Sequence, residues 1–310
     1  MQIHKENTLN VLTKSLEAIV NFFGFILAKI PHRCFLYAVD FFAWIMRILD
    51  KRRFKDAMTN LGIVYGDKIS QEDKKIIIKR CYRNFSFILL EGIRVVYLPR
   101  AKYKSRFEII DEHYILDSLA KNGSAVFMGG HFGYWEAMAT ILPERYRQCN
   151  LASLGRLTDY QAINKLIISR REYWGVKLID KKGAFKHLLK MYAKGNALAG
   201  ILVDQHMSRN EGIEVDFFGK EVTHTTVASI LSRRFGIDIV PVFIDFNTDY
   251  SKFQIKFYPP IKTKNTENYE SDIYEATQSQ AKLTEQVISA NPSSWFWFHK
   301  RWKARYSHLY

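Results

Sequence analysis

Ser124-Ala125-Val126-Phe127-Met128-Gly129-Gly130-His131-Phe132-Gly133-Tyr134-Trp135-Glu136 decides how this chain is read. An apolar run of strand length ends in a glycine-rich turn, and a histidine stands inside that turn, five residues before a glutamate. Within one regular helix, about 100° per residue would leave His131 and Glu136 about 140° apart and unable to meet. The pair therefore requires His131 in the turn and Glu136 on the helix that follows. Glycine permits the sharp bend and close substrate approach, which makes Gly130 and Gly133 candidate substrate-binding positions. Imidazole is the side chain suited to take a proton near neutral pH, and a carboxylate is its usual orienting group. A core histidine beside a surface glutamate has the same spacing, and local spacing alone does not choose between the two.

Outward from this stretch, short β-rich runs alternate with helical ones. Strands are predicted at 124–128, 150–154, 176–179, 197–203, 237–244 and 252–258, and helices at 134–142, 160–173, 184–193, 225–235 and 271–290. Upstream, Ser70-Gln71-Glu72-Asp73 has the form of a capping box opening a long helix toward Val96, with Pro99 marking its end. Such alternation argues for an α/β sheet covered by helices, whose sites gather at the carboxyl ends of strands. His131, Arg156 and Asp204 each fall just beyond a predicted strand, a coincidence that a solvated surface does not explain.

Composition narrows the partners. The chain has 310 residues, 47% of them hydrophobic, which suits a folded protein with a large core. Lys and Arg number 46 against 31 Asp and Glu, for a net charge of +15, so an anionic partner is implied. No zinc-finger or RNP-type motif is present, which favours amphiphilic anions over nucleic acid. Cys34, Cys81 and Cys149 form no CxxC pair, arguing against a zinc site or disulfide framework and for a reducing compartment.

The N-terminal segment is apolar but interrupted by charge. Its longest uncharged run, residues 18–28, falls short of the ~20 residues that a spanning helix needs, and no small-residue cleavage site follows it. Leu12, Leu16, Ile19, Phe23, Ile26 and Leu27 keep helical spacing, with Lys14, Lys29, Arg33, Arg47 and Lys51-Arg52-Arg53 around them. Three readings fit: a helix lying in an anionic membrane surface, a tilted span continuing into 34–46 despite Asp40, or an amphipathic helix packed on the core. The expected organisation is a membrane-associating helical segment over 1–50 and a single domain over 51–310, without internal repeats.

Taken together, these motifs resemble the late acyltransferases of lipid A biosynthesis, within the wider lysophospholipid and glycerolipid acyltransferase superfamily. The likeness rests on His131 and Glu136 in Gly130-His131-Phe132-Gly133-Tyr134-Trp135-Glu136, and on further blocks in order. Asn60-Leu61, Asn84-Phe85 and Glu91 look like upstream landmarks. Arg156, Asn164, Arg170-Arg171 and Gly175 look like the next block. Val203-Asp204-Gln205 with Val215-Asp216-Phe217-Phe218-Gly219 and Thr223 resembles a third, and Trp295-Phe296-Trp297-Phe298-His299-Lys300-Arg301-Trp302-Lys303 a C-terminal signature. His206 and the charge-interrupted N-terminus depart from the pattern. The resemblance implies a central mixed sheet flanked by helices and transfer of a fatty acyl chain from a thioester to a lipid hydroxyl. It further implies acyl carrier protein as donor, an anionic lipid A precursor as acceptor, and work at the cytoplasmic face of a bacterial inner membrane without a cofactor or metal.

Such a reaction needs a base, because a hydroxyl is a weak nucleophile near pH 7. His131 is the candidate base and Glu136 the group holding its tautomer. The oxyanion needs donors, from Arg156 or from backbone N–H groups of the glycine-rich turn, although Arg156 equally suits a lipid phosphate. Asp204 is a catalytic candidate that orients a substrate hydroxyl or pairs with an arginine; as a structural residue it would cap the loop at 207–212. Gln205, Arg170, Arg171 and Arg233 are candidate substrate contacts, although paired arginines on helices also serve as solvated faces. The interleaved aromatic and basic residues of 295–302 suit either a membrane interface or a lid packed on the core. No GxSxG elbow is present and no cysteine falls in a motif, so direct transfer is favoured over an acyl-enzyme. Two other readings stay open: acylation of a lysophospholipid or other glycolipid from acyl-CoA, and a non-catalytic basic protein that binds lipid or nucleic acid.

Overall fold

A computed structural model describes residues 2–155, 161–180 and 183–310. Four helices come first: α1 (Gln2–Lys29), α2 (His32–Leu49), α3 (Lys51–Tyr65) and α4 (Gln71–Arg94). The capping box forms as expected, with Ser70 Oγ accepting from Asp73 N and the Asp73 carboxylate accepting from Ser70 N. After the short α5 (Arg100–Lys104), strands and helices alternate: β1 (Phe107–Ile110), α6 (His113–Asn122), β2 (Ala125–Gly129), α7 (Met138–Arg145), β3 (Asn150–Gly155), α8 (Gln161–Tyr173), β4 (Lys177–Asp180), α9 (Ala184–Ala193) and β5 (Ala197–Leu202). A hairpin of β6 (Ile213–Phe217) and β7 (Lys220–His224) follows, then α10 (Val227–Phe235), β8 (Asp238–Phe246), β9 (Phe253–Phe257), α11 (Tyr269–Ala290) and α12 (Lys303–Tyr306).

Seven strands form one sheet in the order β1-β9-β8-β2-β5-β3-β4. β2, β3, β4, β5 and β8 run in one direction, while β9 is antiparallel to β8 and β1 is parallel to β9. The sheet is therefore mixed, with β2 central and buried along its whole length, as its unbroken apolar run requires. Val126, Met128, Ala199 and Ile201 join the core on one face, and Phe127, Leu198, Val240 and Val242 the core on the other.

All six predicted strands are present, and among the described residues three more are added. β1 is too short and too exposed at Glu108 to have carried a pattern. The β6–β7 hairpin did alternate, Ile213-Glu214-Val215-Asp216-Phe217, but its turn hides behind an unusual residue. Phe218 and Gly219 both have positive φ, 57° and 69°, the geometry of a tight two-residue hairpin, which rarely takes phenylalanine first. The helix expected from Tyr134 begins instead as one 3₁₀ turn, Trp135–Ala137, before α7.

At the N-terminus, one apolar stripe packs inward and another stays open. Phe35, Val39 and Ala43 of α2 are buried, while Tyr37, Phe41, Trp44, Ile48 and Leu49 are exposed, as are Ile19, Phe22, Phe23 and Phe25 of α1. α1 lies so close to α4 that a Cβ on Gly24 would stand 2.2 Å from Ile93 O. Among the described residues no helix is long and apolar enough to cross a membrane.

The C-terminal signature is a strap within the protein rather than an interfacial ribbon. Trp295, Trp297, Arg301 and Trp302 are almost wholly buried. Asn60 Nδ2 donates to Trp297 O and His299 O, and Asn84 Nδ2 to Ser293 O, so both upstream asparagines tie the strap down. Glu91 is also structural: fully buried, it takes Arg94 Nε at 2.6 Å and Arg106 Nη1 at 2.5 Å. Removing it strands two cations in the interior, so Glu91→Ala should lower stability by about 3–5 kcal/mol, read as an earlier denaturant midpoint for the folded chain in detergent.

Candidate active site

β2 ends at Gly129 and β5 at Leu202, and these adjacent strands deliver His131 and Asp204 to the same edge of the sheet. Asp204 is 1% exposed and accepts three hydrogen bonds: His131 Nδ1 at 2.8 Å on Oδ1, and His131 N and Trp295 Nε1, each at 2.7 Å, on Oδ2. Burial by itself raises a carboxyl pKa. Here the adjacent His131, its hydrogen bond, the charge of His299 and the Trp295 indole outweigh burial and hold Asp204 well below the usual carboxylate range. With a carboxylate on Nδ1, that nitrogen carries the proton and Nε2 keeps its lone pair.

The carboxylate that contacts the imidazole is thus Asp204, not Glu136. Trp135 is the residue of the 3₁₀ turn that packs on the imidazole, with ring centroids 5.2 Å apart. Glu136 is held by Arg171, whose Nη2 donates to both carboxylate oxygens at 2.9 and 2.8 Å while Nη1 reaches Ser153 Oγ at 2.9 Å. The helix assumed for Glu136 is a tighter turn, which directs its side chain toward α8 and β3.

At both glycines of the turn a side chain would meet the protein itself. Both are buried. A Cβ on Gly130 would sit 3.1 Å from Asp204 Oδ2, and one on Gly133, where φ is +55°, would sit 1.7 Å from Ile244 O. The turn's N–H groups are also taken: His131 by Asp204, Phe132 by Gly130 O, Gly133 by Ser294 O and Tyr134 by Ile244 O. These four N–H groups are paired within the protein.

Other expected contacts are dispersed. Arg170 donates to Asn21 of α1. Arg233 binds Asp272 and Thr266 O near the start of β8, at the opposite edge of the sheet from His131. Arg156 lies outside the described residues. Gln205 does enter the site, with Nε2 2.9 Å from His131 Nε2. Sequence reasoning missed His299, whose ring lies 4.9 Å from that of His131, and the part played by Trp295. Both belong to the C-terminal signature, but nothing in their spacing shows that the strap closes over the base.

Near the histidine is a cavity between the sheet and α7. Phe127, Leu198, Leu202, Val242 and Leu142 make it apolar, and Glu136, Ser153 and Arg171 give it one polar patch. Trp135 belongs both to this cavity and to the surroundings of His131. Among the described residues no cluster of His, Cys, Asp or Glu is arranged to hold a metal ion.

Residues 2–304 match the family model described as bacterial lipid A biosynthesis acyltransferase. The chain belongs to that family. It is an acyltransferase of the lipid A type. Similar proteins include the lipid A biosynthesis palmitoleoyltransferase of Escherichia coli K12, 25% identical over 268 residues, covering 82% of this chain and 80% of that one. The lauroyltransferase of the same organism is 23% identical over 261 residues, with the same coverage. A phosphatidylinositol mannoside acyltransferase of Mycolicibacterium smegmatis is 19% identical over 231 residues, covering 74% of this chain and 73% of that one.

The two carboxylates make separable predictions. Asp204→Asn should reduce transfer ~10²–10⁴-fold, because an amide no longer fixes the Nδ1–H tautomer. Glu136→Gln, which keeps a hydrogen bond to Arg171, should reduce it far less. An equal or larger loss in Glu136→Gln, with both variants folded by circular dichroism, would return the orienting role to Glu136. Asp204 also shapes acid stability. Its folded pKa is depressed, so its contribution is present above the unfolded value of about 3.9 and is lost as pH falls toward the folded value. Asp204→Asn should flatten the acid side of the stability–pH curve.

Proposed function

We propose that this acyltransferase moves a fatty acyl chain from a thioester, with acyl carrier protein as donor, to a hydroxyl of an anionic lipid A precursor. The observation that carries this reading is the His131–Asp204 pair beside an apolar cavity, with Trp135 common to both. His131 Nε2 takes the proton of the acceptor hydroxyl as its oxygen attacks the thioester carbonyl. The tetrahedral intermediate collapses with loss of the thiolate, which takes the proton from the imidazolium, leaving an ester and a free thiol. Asp204 fixes the tautomer and stabilises the transient imidazolium. Arg156 is the proposed oxyanion donor, and Arg171 is a described cation on the cavity wall.

The cavity is the proposed place of the acyl chain. Residues 1–50 are the proposed membrane-associating segment, at the cytoplasmic face of the inner membrane, ahead of a catalytic domain over 51–310. The exposed aromatic and aliphatic side chains of α1 and α2, close to Lys29, Arg33, Arg47 and Lys51, support an interfacial seat on anionic lipid. The relatives named for phosphatidylinositol mannoside favour a second reading in which the acceptor is another glycolipid.

Purified protein, dodecanoyl thioesters of acyl carrier protein and of coenzyme A, and a lipid A precursor in vesicles test the reading, with the product identified by mass spectrometry. His131→Ala should lower transfer ~10²–10⁴-fold. Full activity in that variant would end the base assignment. Gly200→Leu tests the cavity. A Cβ at Gly200 meets nothing closer than Ala152 O at 3.9 Å, and Gly200 lines the cavity, so a side chain there starts at the cavity wall without a clash at its first carbon. Donor preference should move to shorter chains at unchanged fold, and an unaltered chain-length profile would place the acyl group elsewhere.

A further inference from the structure

Gln205 follows Asp204 beyond the end of β5, and its amide nitrogen stands between two imidazoles, 2.9 Å from His131 Nε2 and 3.5 Å from His299 Nε2. An amide –NH₂ has two donors and no lone pair to accept with. Asp204 fixes the proton on His131 Nδ1, so the Nε2 lone pair is the one a base would use. Gln205 already fills it. The main chain at this point is fixed: Arg301, 1% exposed, donates through Nη1 to Gln205 O and to Thr223 O, both at 2.7 Å. The Gln205 side chain is only half-buried, so it can swing away while its backbone stays in place.

We propose that Gln205 guards the base. Without an acceptor lipid its amide caps His131 Nε2 and keeps water from being activated there. The acceptor hydroxyl then takes the place of the amide, next to His299. This rests on His131 being the base. Unguarded, a water oxygen attacks the thioester carbonyl, its proton passes to Nε2, the C–S bond breaks, and the thiolate takes that proton. A fatty acid and a free thiol result, and the donor is lost without transfer. Transfer follows the same steps with the lipid hydroxyl in place of water, so the outcome depends on which O–H reaches Nε2. Turned by half a revolution about its last bond, the same amide offers Oε1 to the protonated Nε2 of the imidazolium. Glutamine therefore suits both protonation states of the base, whereas a carboxylate suits only the second.

Among the described residues, the charged and titratable groups around His131 are Asp204 at Nδ1, His299 with its ring 4.9 Å away, Arg301 behind the Gln205 backbone, His224 near Asp204 and Arg301, and the Glu136–Arg171 pair beyond Trp135. The experiment uses the full chain with dodecanoyl acyl carrier protein, with and without lipid A precursor vesicles, and measures free fatty acid and ester product together. Gln205→Ala should raise the ratio of hydrolysis to transfer about tenfold, the scale of one lost hydrogen bond. Gln205→Glu, nearly isosteric, should stabilise the imidazolium and raise the pKa of the base. The acid limb of its pH–rate profile should then move to higher pH, since the base is neutral only above its pKa. An unchanged ratio in Gln205→Ala together with an unmoved acid limb in Gln205→Glu would overturn the guard. His131→Ala separates the two readings. If it keeps transfer, the base assignment fails; if it loses both activities while the Gln205 variants behave as wild type, only the guard fails.

Discussion

Everything at the functional end of the sheet depends on one buried carboxylate. Asp204 sits out of water, where an unpaired charge is penalised by several kcal/mol, and it is tolerated because three donors converge on it. Those donors come from two places far apart in sequence: the turn after β2 and the strap that begins at Trp295. Their convergence fixes the position and the tautomer of His131 together. It also explains Gly130, since any side chain there would press on the carboxylate.

Among the described residues, the charges around this carboxylate are paired or pinned by burial. Arg301 is buried, which pushes its pKa down to about 10, still far above neutrality, and Asp204 is its nearby opposite charge. Among the described residues its Nε and Nη2 have no hydrogen-bond partner, so its guanidinium is held by backbone carbonyls through Nη1. His224 lies in the same interior, and burial followed by the Arg301 charge pushes it down to about 3, so it stays neutral. Glu136 and Arg171 neutralise each other at the edge of the cavity.

The sequence displayed the scaffold better than the site. A central strand buried on both faces shows as an unbroken apolar run, and a long capped helix shows as Ser70 and Asp73, because both features are local. The positions of His131 and Asp204 past strand ends were equally legible. Their contact was not, because it depends on β5 lying next to β2 in space, which chain order does not disclose. The same limit hid the partner of Glu136: a histidine and an acid five residues apart invite pairing, yet a single 3₁₀ turn sends the acid to Arg171. Gly133 signalled a sharp turn correctly, but the close approach it permits is to the Ile244 backbone rather than to a ligand. Arg233 lies toward the opposite end of the strands from His131, which chain order does not disclose.

The C-terminal strap has a consequence for the birth of the enzyme. Trp295, His299 and Arg301 complete the surroundings of a base that lies some 165 residues earlier in the chain. Domains fold from the N-terminus during synthesis, so α1 and α2 are made long before the strap emerges. Until residue 301 has left the ribosome, the Asp204 carboxylate lacks its indole donor and the Gln205 backbone lacks its clamp. A chain that stops short of the strap therefore carries His131 and Asp204 without the third donor to the carboxylate and without the clamp on Gln205.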